Sequence, residues 1–135
     1  MRRIADTNIL VRYLTRDDEK AADKAAEIIR GGVEILPETV PELIYVLTSR
    51  SLYGMPRTVV AESVEALLDE VTVHRKDVIK HALKIYQDTR LDFVDCLLIA
   101  EGTASDTEVY SFDQKLLNEL KRRTFFDSFE VGIKS

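Results

Sequence analysis

Residues 1–16 read Met-Arg-Arg-Ile-Ala-Asp-Thr-Asn-Ile-Leu-Val-Arg-Tyr-Leu-Thr-Arg, and the apolar period changes once within them. Arg2 to Asp6 reads as a short strand. Thr7-Asn8 then leads into a helical pattern with Ile9, Leu10, Tyr13 and Leu14 on one face. A strand that ends on an acid and hands over directly to a helix is the unit from which an open α/β domain is built.

The same alternation continues outward. Asp17 to Arg30 has Ala21, Ala22, Ala25, Ile28 and Ile29 at helical spacing, with Asp17 or Asp18 as cap and Gly31-Gly32 as stop. Val33 to Leu36 reads as a second strand. Thr39 to Arg50 follows as a helix that tolerates Pro41 in its first turn. Leu52 to Pro56 is a turn, Thr58 to Glu70 a helix, Val71 to Val73 a third strand and Lys76 to Arg90 an amphipathic helix. Asp95 to Ala104 is apolar almost all round, which predicts a buried helix weakened at its end by Gly102. Glu108 to Phe112 reads as a fourth strand, Asp113 to Arg123 as a helix, and Phe129 to Ile133 as an edge strand. Strands separated by helices need crossover connections, so the expected fold is α/β: a mostly parallel sheet of four or five strands, covered on both faces. Ligand sites in such folds lie at the carboxyl ends of the strands.

With 135 residues, 45% of them hydrophobic and 32% charged, residues 1–135 read as one domain. Five Gly and three Pro are too few for a collagenous or largely disordered chain. No apolar stretch approaches the ~20 residues of a membrane span, and no signal-like segment opens the chain, so a cytoplasmic location without membrane attachment is expected. Cys96 is the single cysteine and reads as a reduced core residue. The net charge of −5 argues against a simple polyanion binder that neutralises phosphates with a basic face. It is compatible with a cation held where carboxylates gather.

Four acids interrupt apolar sequence: Asp6, Glu42, Asp95 and Asp113. An ionised carboxylate in a dry setting costs several kcal/mol unless it is paired, hydrogen-bonded, protonated or metal-bound. Asp6 and Asp113 fall at strand-to-helix handovers, and Glu42 and Asp95 in first turns of helices, so all four can share one end of a parallel sheet. Oxygen-only ligands suit Mg2+ or Mn2+. Each acid also has a structural reading. Glu42 could close a capping box with Thr39, Asp95 could favour a helix dipole, Asp113 could be a cap, and Asp6 with Asn8 could organise a turn. Asp92 reads as a cap or loop acid.

Four segments together resemble the PIN-domain ribonucleases, most closely the VapC-type toxins of toxin-antitoxin pairs. They are Ile4-Ala5-Asp6-Thr7-Asn8-Ile9-Leu10, Pro41-Glu42-Leu43-Ile44-Tyr45-Val46-Leu47, Phe93-Val94-Asp95-Cys96-Leu97-Leu98-Ile99-Ala100 and Tyr110-Ser111-Phe112-Asp113-Gln114-Lys115-Leu116. The resemblance covers essentially the whole chain. It implies that Asp6, Glu42, Asp95 and Asp113 form the acidic metal site, with Asn8 and Ser111 as polar groups behind it. It also implies a three-layer α/β/α fold, a homodimer, and inhibition by a small antitoxin whose tail enters the groove.

The chemistry can be reasoned beside the resemblance. His74 and His81 lack HExxH spacing, and there is neither a Gly-x-Ser-x-Gly turn nor a P-loop. A divalent ion on carboxylates activates water and polarises a phosphoryl oxygen. The expected reaction is therefore hydrolysis of RNA phosphodiester bonds, leaving a 5′-phosphate, with Asp6 and Asp95 as direct ligands and Glu42 and Asp113 direct or through water. Arg12 and Arg16, four apart on one helix face, and Lys115 are candidate RNA-backbone contacts, and Arg12 with Arg16 reads first as an ordinary solvated face or an antitoxin contact. Tyr45, Tyr53 and Phe112 are candidate base platforms, although the Tyr and Leu stripes read first as core or dimer surface. A noncatalytic RNA- or peptide-binding module is the alternative function. A phospho-aspartate enzyme is disfavoured because Thr7-Asn8 lacks the second aspartate of the haloacid-dehalogenase pattern.

Overall fold

Asp6 is extended (φ −89°, ψ 175°) and accepts the Ile9 N–H at 3.2 Å, which starts α1 (Thr7–Thr15) where the apolar pattern changes period. The computed structural model describes residues 1–104 and 106–134, with side chains through Thr124. Its elements after α1 are α2 (Glu19–Arg30), α3 (Thr39–Thr48), α4 (Arg57–Leu68), α5 (Lys76–Asp88), α6 (Phe93–Gly102) and α7 (Gln114–Lys134). Local chemistry sets most of these ends. Arg16 closes α1 in the left-handed region (φ 52°), its N–H bonded to the Arg12 carbonyl. Asp18 caps α2 through the Ala21 N–H at 3.1 Å, and Gly31 ends it. Pro41 sits in the first turn of α3, where its missing N–H would have had no helical acceptor.

The expected parallel sheet is not there: no strand occurs among the described residues, and the α/β/α architecture is corrected to a helical assembly. What remains of the sheet is two isolated parallel bridges, Ile4 to Glu34 and Glu34 to Thr72. They are stitched by Ala5 N–H to the Glu34 carbonyl at 2.9 Å, Glu34 N–H to Arg3 at 2.8 Å, Ile35 N–H to Thr72 at 2.8 Å and Thr72 N–H to Val33 at 3.0 Å. The reason is length. Only about three residues of each segment run beside a neighbour, enough for one bridge, and Ala5, Val33, Ile35, Val71 and Val73 are buried by the helices around them.

The reading of Glu108 to Phe112 as a fourth strand fails for a related reason. Tyr110 is 85% exposed and Phe112 fully so, and of this segment's apolar residues Val109 packs against the core. Phe129 to Ile133 lies inside α7 rather than in an edge strand.

The core is built helix on helix. α3 touches α1, α4 and α6, α5 packs on α4 and α6, and α7 lies against α6. Leu10, Leu43, Leu47, Leu67, Leu83 and Ile99 are fully buried there, each such side chain contributing about 1.5–3 kcal/mol by leaving water. The reading of α6 as a helix buried almost all round is corrected: Phe93, Cys96, Ile99 and Ala100 form one buried face, while Val94 and Leu98 are exposed. Gly102 ends α6 where a Cβ would come 2.8 Å from Leu120 and 2.9 Å from Val109, so the glycine permits close approach of α7 and the preceding loop. Cys96 is buried and its thiol pKa is pushed up to about 11, mainly by burial, as expected of an inert core thiol.

One residue fixes the approach to α6. The Arg57 guanidinium lies 3.6 Å from the Tyr86 ring centroid and donates to the carbonyls of Tyr86, Thr89 and Leu91 at 2.9, 3.2 and 2.7 Å. It thereby satisfies acceptors at the end of α5 and holds the turn that leads into Asp92 and α6.

Candidate metal centre and nucleic-acid groove

Asp6 and Glu42 face the same groove, a space of about 370 Å³ whose walls also include Asn8, Thr39, Ile4 and Leu36. It opens just beyond the carboxyl ends of the first two bridged segments, because Asp6 follows Ile4 by two residues and the turn after Glu34 leads through Leu36 into α3. The location is thus the one expected of an α/β site, built here from two bridges instead of a sheet.

The two carboxylates are held differently. Asp6 caps α1, which fixes its position while using one of its roughly four acceptor sites. Glu42 lies in the first turn of α3, exposed to the groove. The capping box with Thr39 is not formed: Glu38 occupies the cap position and α3 has no side-chain cap hydrogen bond. The purely structural reading of Glu42 therefore loses its basis.

Asp95 and Asp113 form a second pair. Asp95 lies half-buried in the first turn of α6, and its pKa is raised by burial first and then by the neighbouring carboxylates of Asp113 and Asp92. Asp113 precedes α7 and accepts the N–H groups of Lys115 and Leu116 at 2.9 and 3.2 Å, so its cap role is real. Ser111 Oγ accepts the Asp113 N–H at 3.0 Å and shapes that turn. Asp92 stands at the cap position of α6 without making a capping bond. Its carboxylate adds to the charge at Asp95, a part the sequence reading did not give it. The i, i+3 spacing of Asp92 and Asp95 was the available signal.

The structure thus places Asp6 and Glu42 on one groove, while Asp95 has Asp113 and Asp92 as carboxylate neighbours. Among the described residues, no three His, Cys, Asp or Glu side chains are grouped as a metal centre. The donor set nevertheless fits a hydrated hard cation. Mg2+ keeps several waters and takes one or two carboxylates together with substrate phosphate, and does not require an all-protein cage. The mutual repulsion felt at Asp95 is also what a bound cation would relieve.

The basic candidates fare unevenly. Arg12 pairs with Asp17 at 2.7 Å, and Arg16 pairs with Glu19 at 2.8 Å and Asp23 at 2.6 Å. Arg16 is the C-cap of α1, so the two do not share a helix face. Asp17 also accepts the Tyr53 hydroxyl at 2.6 Å and its pKa is lowered to about 2, by Tyr53 first and then Arg12. Tyr53 is thereby committed to this network. Lys115 is exposed beside Asp113 in the first turn of α7.

A family model of the PIN domain matches residues 3–122, most of the chain. No curated protein and no solved structure matches. No helix among the described residues is long and apolar enough to cross a membrane.

Proposed function

Because the chain belongs to the PIN-domain family, a nuclease-type group, we propose that it is a divalent-metal-dependent endoribonuclease acting as the toxin of a toxin-antitoxin pair. The observation that carries this reading is the pairing of Asp6 and Glu42 in one open groove at the carboxyl ends of the bridged segments. Asp6, Glu42, Asp95 and Asp113 are the residues that would hold Mg2+ or Mn2+. Such an ion, when bound, supplies a water of lowered pKa and neutralises charge on the phosphoryl oxygens.

The chain's own contribution is positioning. The cap to Ile9 holds the Asp6 carboxylate at the groove wall, and the first turn of α3 presents Glu42 on the same space. Asn8 lines the groove with an amide that can donate to a phosphate oxygen. Asp95 lies in the first turn of α6 with the carboxylates of Asp113 and Asp92 as neighbours, where negative charge favours a cation. Lys115 is the basic residue that adjoins these acids, and we assign it to the RNA backbone. Water as the nucleophile predicts products with 5′-phosphate and 3′-hydroxyl ends.

The test is cleavage of structured RNA by wild type and Asp6→Asn with Mg2+ or Mn2+, with and without chelator. Metal-dependent cleavage lost in the variant supports the reading, whereas metal-independent cleavage rejects it. RNA binding without turnover, persisting when all four acids are replaced, would leave a noncatalytic module. The toxin role, cytoplasmic address, homodimer and small antitoxin are the finer parts of the proposal. Induction in growing cells should arrest growth and create discrete new RNA 5′ ends, both abolished by Asp6→Asn.

A further inference from the structure

A second cleft, of about 300 Å³, lies between α3 and α6 and adjoins the acid groove through the first turn of α3. Glu42 lines the groove, and Pro41 and Tyr45 line the cleft. Tyr45 is 69% exposed although it sits on a helix whose other aliphatic positions are largely buried. Ile44, Phe93 and Val94 give the cleft apolar walls, and Asp92 places a carboxylate among them. We propose that this cleft holds an unpaired guanine of the RNA strand, stacked on Tyr45 and read along its Watson–Crick edge by the Asp92 carboxylate. The assignment rests on the ribonuclease reading for its substrate class and adds to it a base preference.

Three observations select this occupant. Apolar walls with one exposed aromatic ring suit the faces of a flat heterocycle, and single-stranded RNA offers its bases for such stacking. Of the other candidate platforms, the Tyr53 hydroxyl is bound to Asp17, and Phe112 is not among the walls of the cleft. The one charged group in the cleft is an acceptor, beside the hydroxyls of Tyr45, Thr48 and Tyr86. An ionised Asp92 has no proton to donate and makes no cap bond in its own helix, while the Thr48 hydroxyl at the same cleft donates to the Ile44 carbonyl at 2.8 Å. Guanine is the base whose Watson–Crick edge presents two adjacent donors, N1–H and N2–H, to match the two oxygens of a carboxylate. Adenine and cytosine place a ring acceptor beside their amino group, and uracil flanks its one N–H with carbonyl oxygens, so each sets an acceptor against Asp92.

The experiment compares labelled uridine hexamers carrying a single guanosine, inosine or adenosine. Binding is read by anisotropy with calcium in place of magnesium, and cleavage is read in parallel with magnesium or manganese. Wild type should bind the guanosine hexamer about tenfold tighter than the adenosine one, with inosine, which lacks the N2 amino group, in between. Asp92→Asn should erase that order, Tyr45→Ala should weaken binding of every hexamer about tenfold, and Tyr45→Phe should restore it. Equal binding of guanosine and adenosine by wild type, or a guanosine preference that survives Asp92→Asn, overturns the assignment. Cleavage without base preference would remove the guanine site and keep the ribonuclease. Guanosine-selective binding with no cleavage would remove the ribonuclease and keep the base site.

Discussion

Asparagine caps a helix about as well as aspartate does, so Asp6→Asn should keep the Ile9 contact and change stability by no more than about 0.5 kcal/mol. It removes half of the charge of the Asp6–Glu42 pair, and RNA cleavage should fall on the order of a hundredfold or more. Paired melting and cleavage measurements check both halves, and a variant that unfolds instead would show that the cap role dominates. Asp95 behaves differently because its pKa is raised in the fold. A carboxyl whose folded value lies above its unfolded one costs stability as the pH rises through that interval, so in metal-free protein Asp95→Asn should raise Tm at pH 7 and have little effect near pH 3. Asp17 gives the opposite sign. Its value falls from 3.8 to about 2, so its contribution is complete above pH ~4 and is lost as the pH drops towards 2. The Tm difference between wild type and Asp17→Asn should therefore be constant from pH 7 to 5 and shrink between 4 and 2. The four acids were legible as interruptions of apolar sequence, since a charge there needs a reason. Asp92 was less legible: its i, i+3 spacing to Asp95 was a signal, but the cap position also explains an aspartate, and the missing cap bond separates the two.

Helices α2, α3 and α5 were readable nearly to their ends because the Asp18 cap and Gly31 stop of α2, and the apolar spacing of all three, act within a turn of chain. The bridged segments were located correctly at Ile4, Glu34 and Thr72, but whether three residues propagate into a strand depends on neighbours far away in sequence, which local pattern does not carry. Glu108 to Phe112 shows the difficulty: Val109, Tyr110 and Phe112 suggest a strand, yet Tyr110 and Phe112 face solvent. The turn from α5 to α6 was equally hidden, since nothing in the sequence near Arg57 announces that its guanidinium will gather three carbonyls some thirty residues on. Arg57→Met keeps much of the stem but leaves those acceptors without their charged donor and removes the contact over Tyr86. It should cost about 2–3 kcal/mol in chemical denaturation. A cost below about 0.5 kcal/mol would mean that water replaces the guanidinium fully and that the turn is held by α5 and α6 alone.

At the scale of the whole molecule, a chain of net charge −5 with the proposed polyanionic substrate must offset repulsion somewhere. Arg2, Arg12, Arg16, Arg75, Lys80 and Arg122 are each paired with an acid, so much of the positive charge is spent within the surface. A cation held by the acids would add to Lys115 and Asn8 in bringing phosphate to the groove, and this would tie metal binding to folding. An ion that binds the folded chain and not the unfolded one stabilises it by about 2.7 kcal/mol at a concentration 100 times its Kd. Magnesium or manganese should therefore raise the Tm of wild type, and chelator should reverse the rise. Replacing Asp6 and Glu42 together with Asn and Gln should abolish most of that increment while leaving the metal-free Tm close to wild type, because neither change removes a core contact. If Asp95→Asn instead abolishes it and the Asp6–Glu42 double variant does not, the ion is held by the α6–α7 pair and the groove between α1 and α3 serves the RNA strand alone.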